Sequence, residues 1–430
     1  MKVLVISNSE WDKNNSFGNT FDNFFSGLDN IEFANIYCRE GTPNTDVCSN
    51  FLKISDKDLV KSFIDNNYDP AKVTLSCANS DVTVVDSNKT ILDFIKKKRW
   101  SVFFILREVL WSISNYKKQT FTDFIEIFEP DIILLPTYSF TYINKMALYI
   151  QKKYKLPIVS YMSDDEYSFR RFRLSPIFWM LRIYQSKWSV KGLKQSQLVY
   201  VISETQKREC KEDLNLDSKV LTKCADFSDE RKPDFKEPDE VLKMVYAGNI
   251  SRGRYDILSE LAKATEKLNS DFKKFQLDIY TLTPLSDKQK ECLSTESVHL
   301  HPPVSYAEIR EIQKNSDILL HVEGFSLKEK LAVHQSFSTK IVDYLETNRC
   351  IFAIGDDYCA SIQYFIDNEC GAVATKKEEI EKELLKLHNN RDLLKKYANK
   401  GWESGKKHHH KPILQNMVKN DLDNLIALKG

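Results

Sequence analysis

The sequence lacks the cysteine patterns that mark disulfide-rich and structural-zinc proteins. Its nine cysteines are odd in number, scattered along the chain and never arranged as a C-x-x-C pair. Both kinds of site need cysteines at fixed spacings, so this distribution argues against a disulfide framework and a structural zinc site. Scattered free thiols are typical of a protein in a reducing compartment. The histidines show no H-E-x-x-H or similar spacing either. We therefore expect no metal site and no other cofactor. We interpret His299 and His301 as structural histidines and Asp278 as an ordinary loop or cap residue.

The sequence also lacks an excess of charge of either sign. It has 62 Lys and Arg residues against 61 Asp and Glu residues, a formal net charge of +1. Such a balance produces no field that would attract a polyanion over a large surface. We expect no nucleic-acid partner, and any anion site has to be built from a few local side chains.

Long hydrophobic runs are missing as well. No stretch reaches the roughly 18 uncharged apolar residues that a membrane-spanning helix requires. The N-terminal MKVLVISNSEW has only a short apolar run, which is typical of a buried first strand and not of a signal peptide. The expected location is the cytoplasm.

What the sequence does contain is a sustained alternation of strands and helices. Runs such as VLVIS, DIILLP and LVYVIS are separated by stretches of helical periodicity. The charged, proline-containing segment DERKPDFKEPDE interrupts this pattern, and LKMVYAGNI restarts it. We predict an α/β protein with two Rossmann-like domains, at residues 1–235 and 236–408. Residues 409–430 are expected to form a helix that packs back on the first domain.

The segment SFSTKIVDYL (336–345) combines a helix start with residues suited to a nucleotide. Ser338 and Thr339 are candidate capping residues, and a helix N-terminus with an adjacent Lys340 attracts phosphate. Asp343, one turn further on, could accept hydrogen bonds from ribose hydroxyls. A surface helix with a well-capped end gives the same pattern, so the segment alone leaves both interpretations open.

A second segment, LKMVYAGNISRGR, offers further phosphate ligands. Gly248 follows a predicted strand, and Arg252 and Arg254 lie in the loop that leads to the next helix. Glycine permits close backbone approach, and guanidinium groups match phosphate oxygens. The spacing is neither the G-x-G-x-x-G fingerprint nor a P-loop, which argues against a nicotinamide-dependent dehydrogenase and a P-loop NTPase.

Together these segments resemble the GT-B glycosyltransferases. The linker, the strand with its glycine loop and arginine, and the segment S-x-K-x-x-[DE]-Y-L before an apolar strand are all similar to that group. SFSTKIVDYLETNRCIFAIG resembles in particular the retaining family-four enzymes of bacterial capsular and surface polysaccharide synthesis. The resemblance implies two Rossmann-like domains facing each other across a cleft. It assigns the nucleotide sugar to the C-terminal domain and the acceptor to the N-terminal domain, without a metal.

The resemblance also assigns donor-site residues. Asp343 takes the place of the second glutamate of the family's E-x7-E motif, and Gln335 takes the place of the first, where a charge is missing. Glu323 ends a predicted strand at the cleft. The implied donor-site residues are Gly248, Arg252, Arg254, Glu323, Gln335, Ser338, Thr339, Lys340, Asp343 and Tyr344.

Catalysis in this family rests on stabilising the departing diphosphate, which the resemblance assigns to Lys340 and Arg254, with Arg254 preferred over Arg252. If a carboxylate acts as base, Asp164 or Asp165 in YMSDDEY is the candidate, and we expect one of the two to face the cleft. Gly18, Asn19 and Thr20, which follow the first strand, are the acceptor-side residues that the resemblance implies.

Two segments, 94–113 and 169–188, place tryptophans among lysines and arginines. They are predicted either to be core helices with solvated basic ends or to contact the inner face of the membrane. The resemblance implies a hexosyltransferase that moves a sugar, with retention of configuration, from a nucleoside-diphosphate sugar to a saccharide, with a lipid-linked acceptor favoured. The alternatives are a GT-B sugar-nucleotide 2-epimerase and a non-catalytic protein that binds nucleotide sugars or scaffolds an enzyme.

Overall fold

In the computed structural model, residues 1–75 and 101–427 are described, with the side chains of residues 101 and 102 excepted. The chain forms two α/β units, each built on its own sheet. The part of the predicted membrane segment 94–113 that precedes residue 101 lies outside the described residues. None of the described helices is long and apolar enough to cross a bilayer.

The first sheet contains eight strands in the order β4-β3-β2-β1-β5-β6-β7-β8. Neighbouring strands are parallel except for the antiparallel pair β3 and β4. The strand order reverses between β1 and β5, and ligands of such sheets bind outside the carboxyl ends of the strands at such a point. The strands are β1 (Lys2–Ser7), β2 (Glu32–Tyr37), β3 (Asn50–Ile54), β4 (Ala71–Thr74), β5 (Ile132–Pro136), β6 (Ile158–Met162), β7 (Leu198–Val201) and β8 (Lys219–Val220).

Helices cover both faces of this sheet. The sheet divides the core of the first unit into two apolar layers, one on each face. Strands β5 and β6 are buried along their whole length, as expected of parallel strands covered on both sides. The helices are α1 (Ser16–Phe25), α2 (Asp56–Ile64), α3 (Ser101–Ile113), α4 (Gln119–Phe128), α5 (Thr141–Tyr154), α6 (Pro176–Gln195) and α7 (Glu204–Leu214).

The second sheet has six parallel strands in the order β11-β10-β9-β12-β13-β14, with its own reversal between β9 and β12. Its strands are β9 (Leu242–Ala247), β10 (Phe275–Tyr280), β11 (Val298–His301), β12 (Ile318–Val322), β13 (Cys350–Ile354) and β14 (Ala372–Ala374). Its helices are α8 (Arg254–Leu268), α9 (Asp287–Cys292), α10 (Tyr306–Lys314), α11 (Leu327–Val333), α12 (Thr339–Leu345), α13 (Ala360–Asn368), α14 (Ile380–Asn389) and α15 (Asp392–His408).

The last helix, α16 (Lys411–Ala427), lies against the first unit. Leu414, Val418 and Leu422 are buried in the apolar layer that also contains the aromatic side chains of α1. Tyr200 on β7 donates a hydrogen bond to Asp421 Oδ2 at 2.8 Å. The chain therefore crosses twice between the two units, once before β9 and once before α16.

The carboxyl ends of the two sheets face each other. Ser203 Oγ, at the start of α7, donates to the Gln335 carbonyl at 2.8 Å, and Arg171 Nη1 donates to the Ala332 carbonyl at 3.3 Å. Ser336 Oγ donates to Asp164 Oδ1 at 3.3 Å. These contacts join the loops after β6 and β7 to the last turn of α11 and to the segment between α11 and α12. The two strand-order reversals consequently open onto one shared cleft.

Candidate functional site

The second unit forms one wall of the cleft, which we call the C-terminal wall, and the first unit forms the N-terminal wall. At the centre of the C-terminal wall, Lys340 contacts the end of β9. Lys340 Nζ donates a hydrogen bond to the Ala247 carbonyl at 2.8 Å, across the position of Gly248. Gly248 has φ +154°, and a Cβ built there would lie 1.9 Å from Lys340 Nζ. Only glycine therefore leaves room for the ammonium. Partial burial, together with the nearby Arg254 guanidinium, lowers the pKa of Lys340.

Arg254 is occupied by a neighbouring acid, which the sequence did not indicate. Its Nη2 contacts both carboxylate oxygens of Glu323, at 3.0 and 2.7 Å, and its Nε donates to the Val322 carbonyl at 2.9 Å. Glu323 is buried at the end of β12, and burial raises the pKa of its carboxyl while Arg254 opposes that effect. Much of the charge of Arg254 is thus already compensated.

His321 lies beneath this pair. It is buried, and no described residue forms a hydrogen bond with its Nε2, which lies 3.8 Å from Glu323 Oε1. Burial and the charges of Arg254 and Lys340 lower the pKa of His321 to about 3. The imidazole is therefore neutral at physiological pH and adds no positive charge to the wall.

Arg252 provides the available guanidinium. It is exposed, adopts the left-handed conformation at φ 58°, and forms no hydrogen bond or ion pair with any residue in the described ranges. Its charge helps to lower the pKa of both Asp164 and Glu323, so it lies over the cleft. Asn249 Oδ1 accepts from Ser251 N at 2.7 Å and thereby shapes the loop. The structure places Arg252, more than Arg254, in a position to meet a ligand.

Ser338 and Thr339 lie beside Lys340 at the start of α12. Ser338 is the N-cap residue, yet its side chain makes no capping hydrogen bond. The Thr339 side chain is exposed. The polar groups at this helix start are therefore accessible from the cleft, next to the Lys340 ammonium.

Asp343 is buried on α12 and already has partners. Its Oδ1 accepts from Lys223 Nζ at 2.6 Å and from the Tyr306 hydroxyl at 3.1 Å. Lys223 belongs to the segment between the two units, so this ion pair also ties that segment to the second sheet. Tyr344 is buried among core residues next to Tyr246, which places its side chain in the core and away from the cleft surface.

Gln335 lies at the contact between the two units and not on an open wall. It is 2% exposed. Its Nε2 donates to Glu209 Oε2 at 2.5 Å, and its Oε1 accepts from Gln206 Nε2 at 3.2 Å. Both partners belong to α7 of the first unit. Position 335, where the resemblance implied a charge, thus carries an amide that donates to a carboxylate across the interface.

The two aspartates of the N-terminal wall have different environments. Asp165 is buried, accepts from Ser168 N at 2.9 Å, and lies 3.4 Å from Arg182 Nη2. Asp164 is exposed and meets Ser336 across the cleft. Desolvation of the carboxyl by the surrounding protein raises the pKa of Asp164, and the positive charge of Arg171 opposes the increase. Asp164 is the member of the pair that faces the cleft.

Glu166 is a residue that sequence reasoning missed. Ser139 donates a hydrogen bond to its Oε2, and Arg182 Nη1 lies 3.8 Å away. Burial raises the pKa of Glu166 to about 7, and the neighbouring Asp164 charge contributes to the increase. The run of three acidic residues in SDDEY could have indicated Glu166, but the sequence prediction named only the first two, Asp164 and Asp165, as candidate bases.

The predicted acceptor-side residues lie at the start of α1. Gly18 is buried, and its amide donates to Asn15 Oδ1 at 2.8 Å. A Cβ at Gly18 would lie 2.1 Å from the Asp12 carbonyl oxygen, so the glycine permits the close approach of the loop after β1. Asn19 is exposed, and Thr20 donates to the Ser16 carbonyl at 2.8 Å.

Among the described residues, one group of three His, Cys, Asp or Glu side chains has the spacing of metal ligands. It consists of Asp278, His299 and His301, on β10 and β11. The cleft residues described above do not include it.

The chain matches no protein-family model and no curated protein sequence. Solved structures nevertheless share its fold. Sucrose-phosphate synthase from Thermosynechococcus elongatus superposes over 100% of both chains with a TM-score of 0.62 and 8% identity. The E. coli trehalose-6-phosphate structure bound with UDP-2-fluoro glucose covers 98% of this chain and 99% of that chain, with a TM-score of 0.58 and 12% identity.

A third structure, S. aureus TarM in complex with fondaparinux, α-GlcNAc-glycerol and UDP, covers 68% of this chain and 55% of that chain. Its TM-score is 0.50 and its identity 12%. At these identities the comparisons establish the fold. The two parallel-sheet units facing each other form the GT-B architecture, as the sequence predicted.

Proposed function

We propose that this GT-B chain is a glycosyltransferase that moves a hexosyl group from a nucleoside-diphosphate sugar to a saccharide acceptor, with retention of configuration. The observation that carries the proposal is the cationic end of β9. There Lys340, held over Gly248, flanks the accessible start of α12 together with Arg252, which has no ion-pair partner in the described part of the chain. Two cations and exposed backbone donors in a cleft suit a diphosphate leaving group.

The fold neighbours support this assignment of the C-terminal wall. One of them holds UDP-2-fluoro glucose and another holds UDP together with saccharide-like ligands. We extend that ligand class to this chain because its cleft has the same architecture and offers positive charge at the carboxyl ends of β9 and β12. Asp343, with Oδ1 occupied by Lys223 and Tyr306, would reach a ribose through its other carboxylate oxygen.

In the proposed reaction, the bond between the anomeric carbon and the diphosphate oxygen breaks, and a bond to an acceptor hydroxyl forms. Lys340 and Arg252 stabilise the charge that develops on the departing diphosphate. The acceptor proton goes to a diphosphate oxygen or to Asp164. Asp164 faces the cleft, and its raised pKa makes it a better base once it is ionised.

We further propose a lipid-linked acceptor in bacterial surface polysaccharide synthesis, reached at the inner face of the membrane. Helices α3 and α6 contact each other and expose large apolar side chains. Among them are Leu106 and Ile113 on α3 and Met180 on α6, and Arg173 and Leu174 are exposed just before α6 begins. An apolar ridge with basic neighbours suits an anionic membrane surface.

The test is nucleotide release from a panel of sugar nucleotides, measured with and without membrane lipid extract. Release that depends on the lipid extract supports transfer to a lipid-linked acceptor. Isomerisation of the donor without an acceptor would indicate the 2-epimerase instead. Donor binding with no turnover under any condition would overturn the enzymatic proposal in favour of a binding protein.

Lys340→Ala is the first variant to measure. Loss of the ammonium should lower kcat by roughly 100-fold or more and weaken binding of a nucleoside diphosphate, because a preorganised charge opposite the leaving group is removed. Lys328→Ala, which removes an exposed lysine of α11, is the matched control and should leave both values unchanged. A Lys340→Ala enzyme with full turnover and only lower stability would show that Lys340 merely supports the Ala247 carbonyl.

A further inference from the structure

Three potential metal ligands, distinct from the cleft residues described above, come together on one face of two adjacent strands. Strands β10 and β11 are parallel, with Asp278 opposite His299 and Tyr280 opposite His301. Alternate residues of a strand share a face, so Asp278, His299 and His301 project to the same side. One ligand atom from each lies within 4.8 Å of the others. Rigid strands, and not a loop, fix this arrangement.

Two imidazoles converge on a single carboxylate oxygen. His301 Nε2 lies 2.6 Å and His299 Nδ1 3.3 Å from Asp278 Oδ1. The other nitrogen of His299, Nε2, lies 3.3 Å from the Glu296 carbonyl oxygen, which can only accept. With Nε2 as the donor to that carbonyl, Nδ1 is the nitrogen directed at the carboxylate oxygen, where both atoms can bind one cation.

The surroundings of the three ligands also resemble those of a metal site. Gln276 Nε2 donates to Asp278 Oδ2 at 3.0 Å, which turns Oδ1 toward the histidines. Tyr280 stacks on His301 with ring centroids 4.5 Å apart and an angle of 10° between the planes. Metal-binding histidines and carboxylates are commonly oriented by such outer hydrogen bonds.

We infer that Asp278, His299 and His301 form a binding site for a divalent transition metal ion of the Zn²⁺ type. Two imidazole nitrogens and one carboxylate oxygen suit Zn²⁺, with bonds of about 2.0 to 2.2 Å and a fourth position for water. Tetrahedral ligands are then roughly 3.4 Å apart. The 3.3 Å separation already fits, and the 2.6 Å contact has to lengthen by about 0.8 Å when the ion binds. The His299 and His301 side chains are 38% and 33% exposed, so an ion can enter.

The proposed metal site lies on two strands of the sheet that carries the C-terminal wall of the cleft. β11 is an edge strand of the second sheet as described, so an ion that joins it to β10 would stabilise the edge. The Tyr280 carbonyl accepts a hydrogen bond from Gly248 N at 2.9 Å. An ion bound to His301 and Asp278 would thus stiffen the strand end that positions the Gly248 loop. The proposed role is structural and separate from glycosyl transfer.

The experiment uses the full chain, freed of metal with a chelator. Zn²⁺ is titrated against a chromogenic chelator, and bound Co²⁺ is detected by its visible absorption. We expect a single binding site for the ion. Its affinity should fall at least about tenfold in Asp278→Asn and in His301→Gln, because losing a ligand should cost more than losing a residue that only hydrogen-bonds to a ligand. His408→Gln and Cys292→Ser, which alter another histidine cluster and an exposed cysteine, should bind as the wild type does.

A second measurement needs no variant. Zn²⁺ should protect His299 and His301 from diethyl pyrocarbonate, as mapped by mass spectrometry, and should raise the melting temperature of the wild type. The inference is wrong if the wild type binds no ion stoichiometrically, if both ligand variants bind normally, or if protection falls on other histidines. None of these readouts depends on transferase activity.

Discussion

At the scale of single residues, side chains of the same type that are neighbours in the sequence have different environments in and around the cleft. Asp164 and Asp165 are adjacent, but one is exposed to the cleft and the other is buried against Ser168 and Arg182. Arg252 and Arg254 are two residues apart, but only Arg254 has a carboxylate partner among the described residues. In each pair, tertiary contacts occupy one member and leave the other available.

The two aspartates should therefore respond oppositely to the same change. Asp164→Asn should reduce turnover at least tenfold with little change in the free energy of unfolding, because its side chain supports no buried network. Asp165→Asn should lower the free energy of unfolding by about 3 kcal/mol, because Arg182 would lose a buried partner. Urea unfolding and initial rates on both variants test this pair. Equal stability losses in the two variants would contradict it.

Glu166 predicts a pH dependence of stability. Its pKa is about 7 in the folded protein, against an ordinary value of 4.5, so the folded state holds this proton more tightly than the unfolded chain. Stability should therefore fall as the pH rises through this interval. From about pH 5.5 to about pH 8 the loss attributable to Glu166 should be about 2 kcal/mol.

Glu166→Gln should remove this part of the pH dependence, because the amide does not titrate. The measurement is the free energy of unfolding in urea at both pH values. Glu403→Gln, at an exposed position of α15, is the control and should retain the slope of the wild type. A Glu166→Gln variant with an unchanged slope would show that the carboxyl is not buried as described.

At the scale of elements, the loop after β9 and the start of α12 form one unit. Gly248 lies between the Ala247 carbonyl and the lysine that binds it, and its amide is held by Tyr280. Two hydrogen bonds therefore link the loop to the helix start and to the end of β10. This is why a change at one backbone position should affect donor binding.

Gly248→Ala should weaken nucleoside-diphosphate binding at least tenfold. A Cβ at this position would lie 1.9 Å from Lys340 Nζ, so the ammonium would have to leave its place. Gly27→Ala is the matched control, because Gly27 also has a positive φ, +87°, but no atom lies within 4 Å of its added Cβ. Calorimetric titration of both variants separates the contact from the backbone strain. Equal affinities in the two variants would argue against a donor role for this loop.

At the scale of the whole molecule, the two units are joined by a polar contact under the cleft. Glu209 on α7 accepts from Gln335, and His334 Nε2 lies 2.5 Å from its other oxygen. Although burial alone would raise it, these contacts hold the pKa of Glu209 below its ordinary value. The amide at position 335 thus supports the domain contact that closes one end of the cleft.

Gln335→Glu tests this interpretation against a sugar-binding role. A glutamate would place two carboxylates together in a buried contact, and we expect a loss of about 2 kcal/mol in the free energy of unfolding. The double variant Gln335→Glu/Glu209→Gln should recover part of that loss by reversing the donor and acceptor. Higher turnover of Gln335→Glu without lower stability would instead place position 335 at the donor sugar.

The sequence by itself predicted the class of fold and the region of the candidate site. Alternating strands and helices, the linker near residue 235 and the segment around Lys340 are local patterns, because hydrophobic periodicity and capping act over a few residues. The alternation predicted the α/β class, and the resemblance of the segments to a known family implied the GT-B architecture. Both are confirmed by the structure and its fold neighbours.

Only the tertiary structure decided which polar groups are available. Glu323 lies far along the chain from Arg254, and Lys223 lies far from Asp343, yet each pair is in contact. Asp278 and the two histidines of β11 also meet only through strand pairing, where sequence spacing gave no signal. The physical reason is that charge compensation depends on distance in space. Local patterns place a residue on an element, and the packing of distant elements decides what that residue can bind.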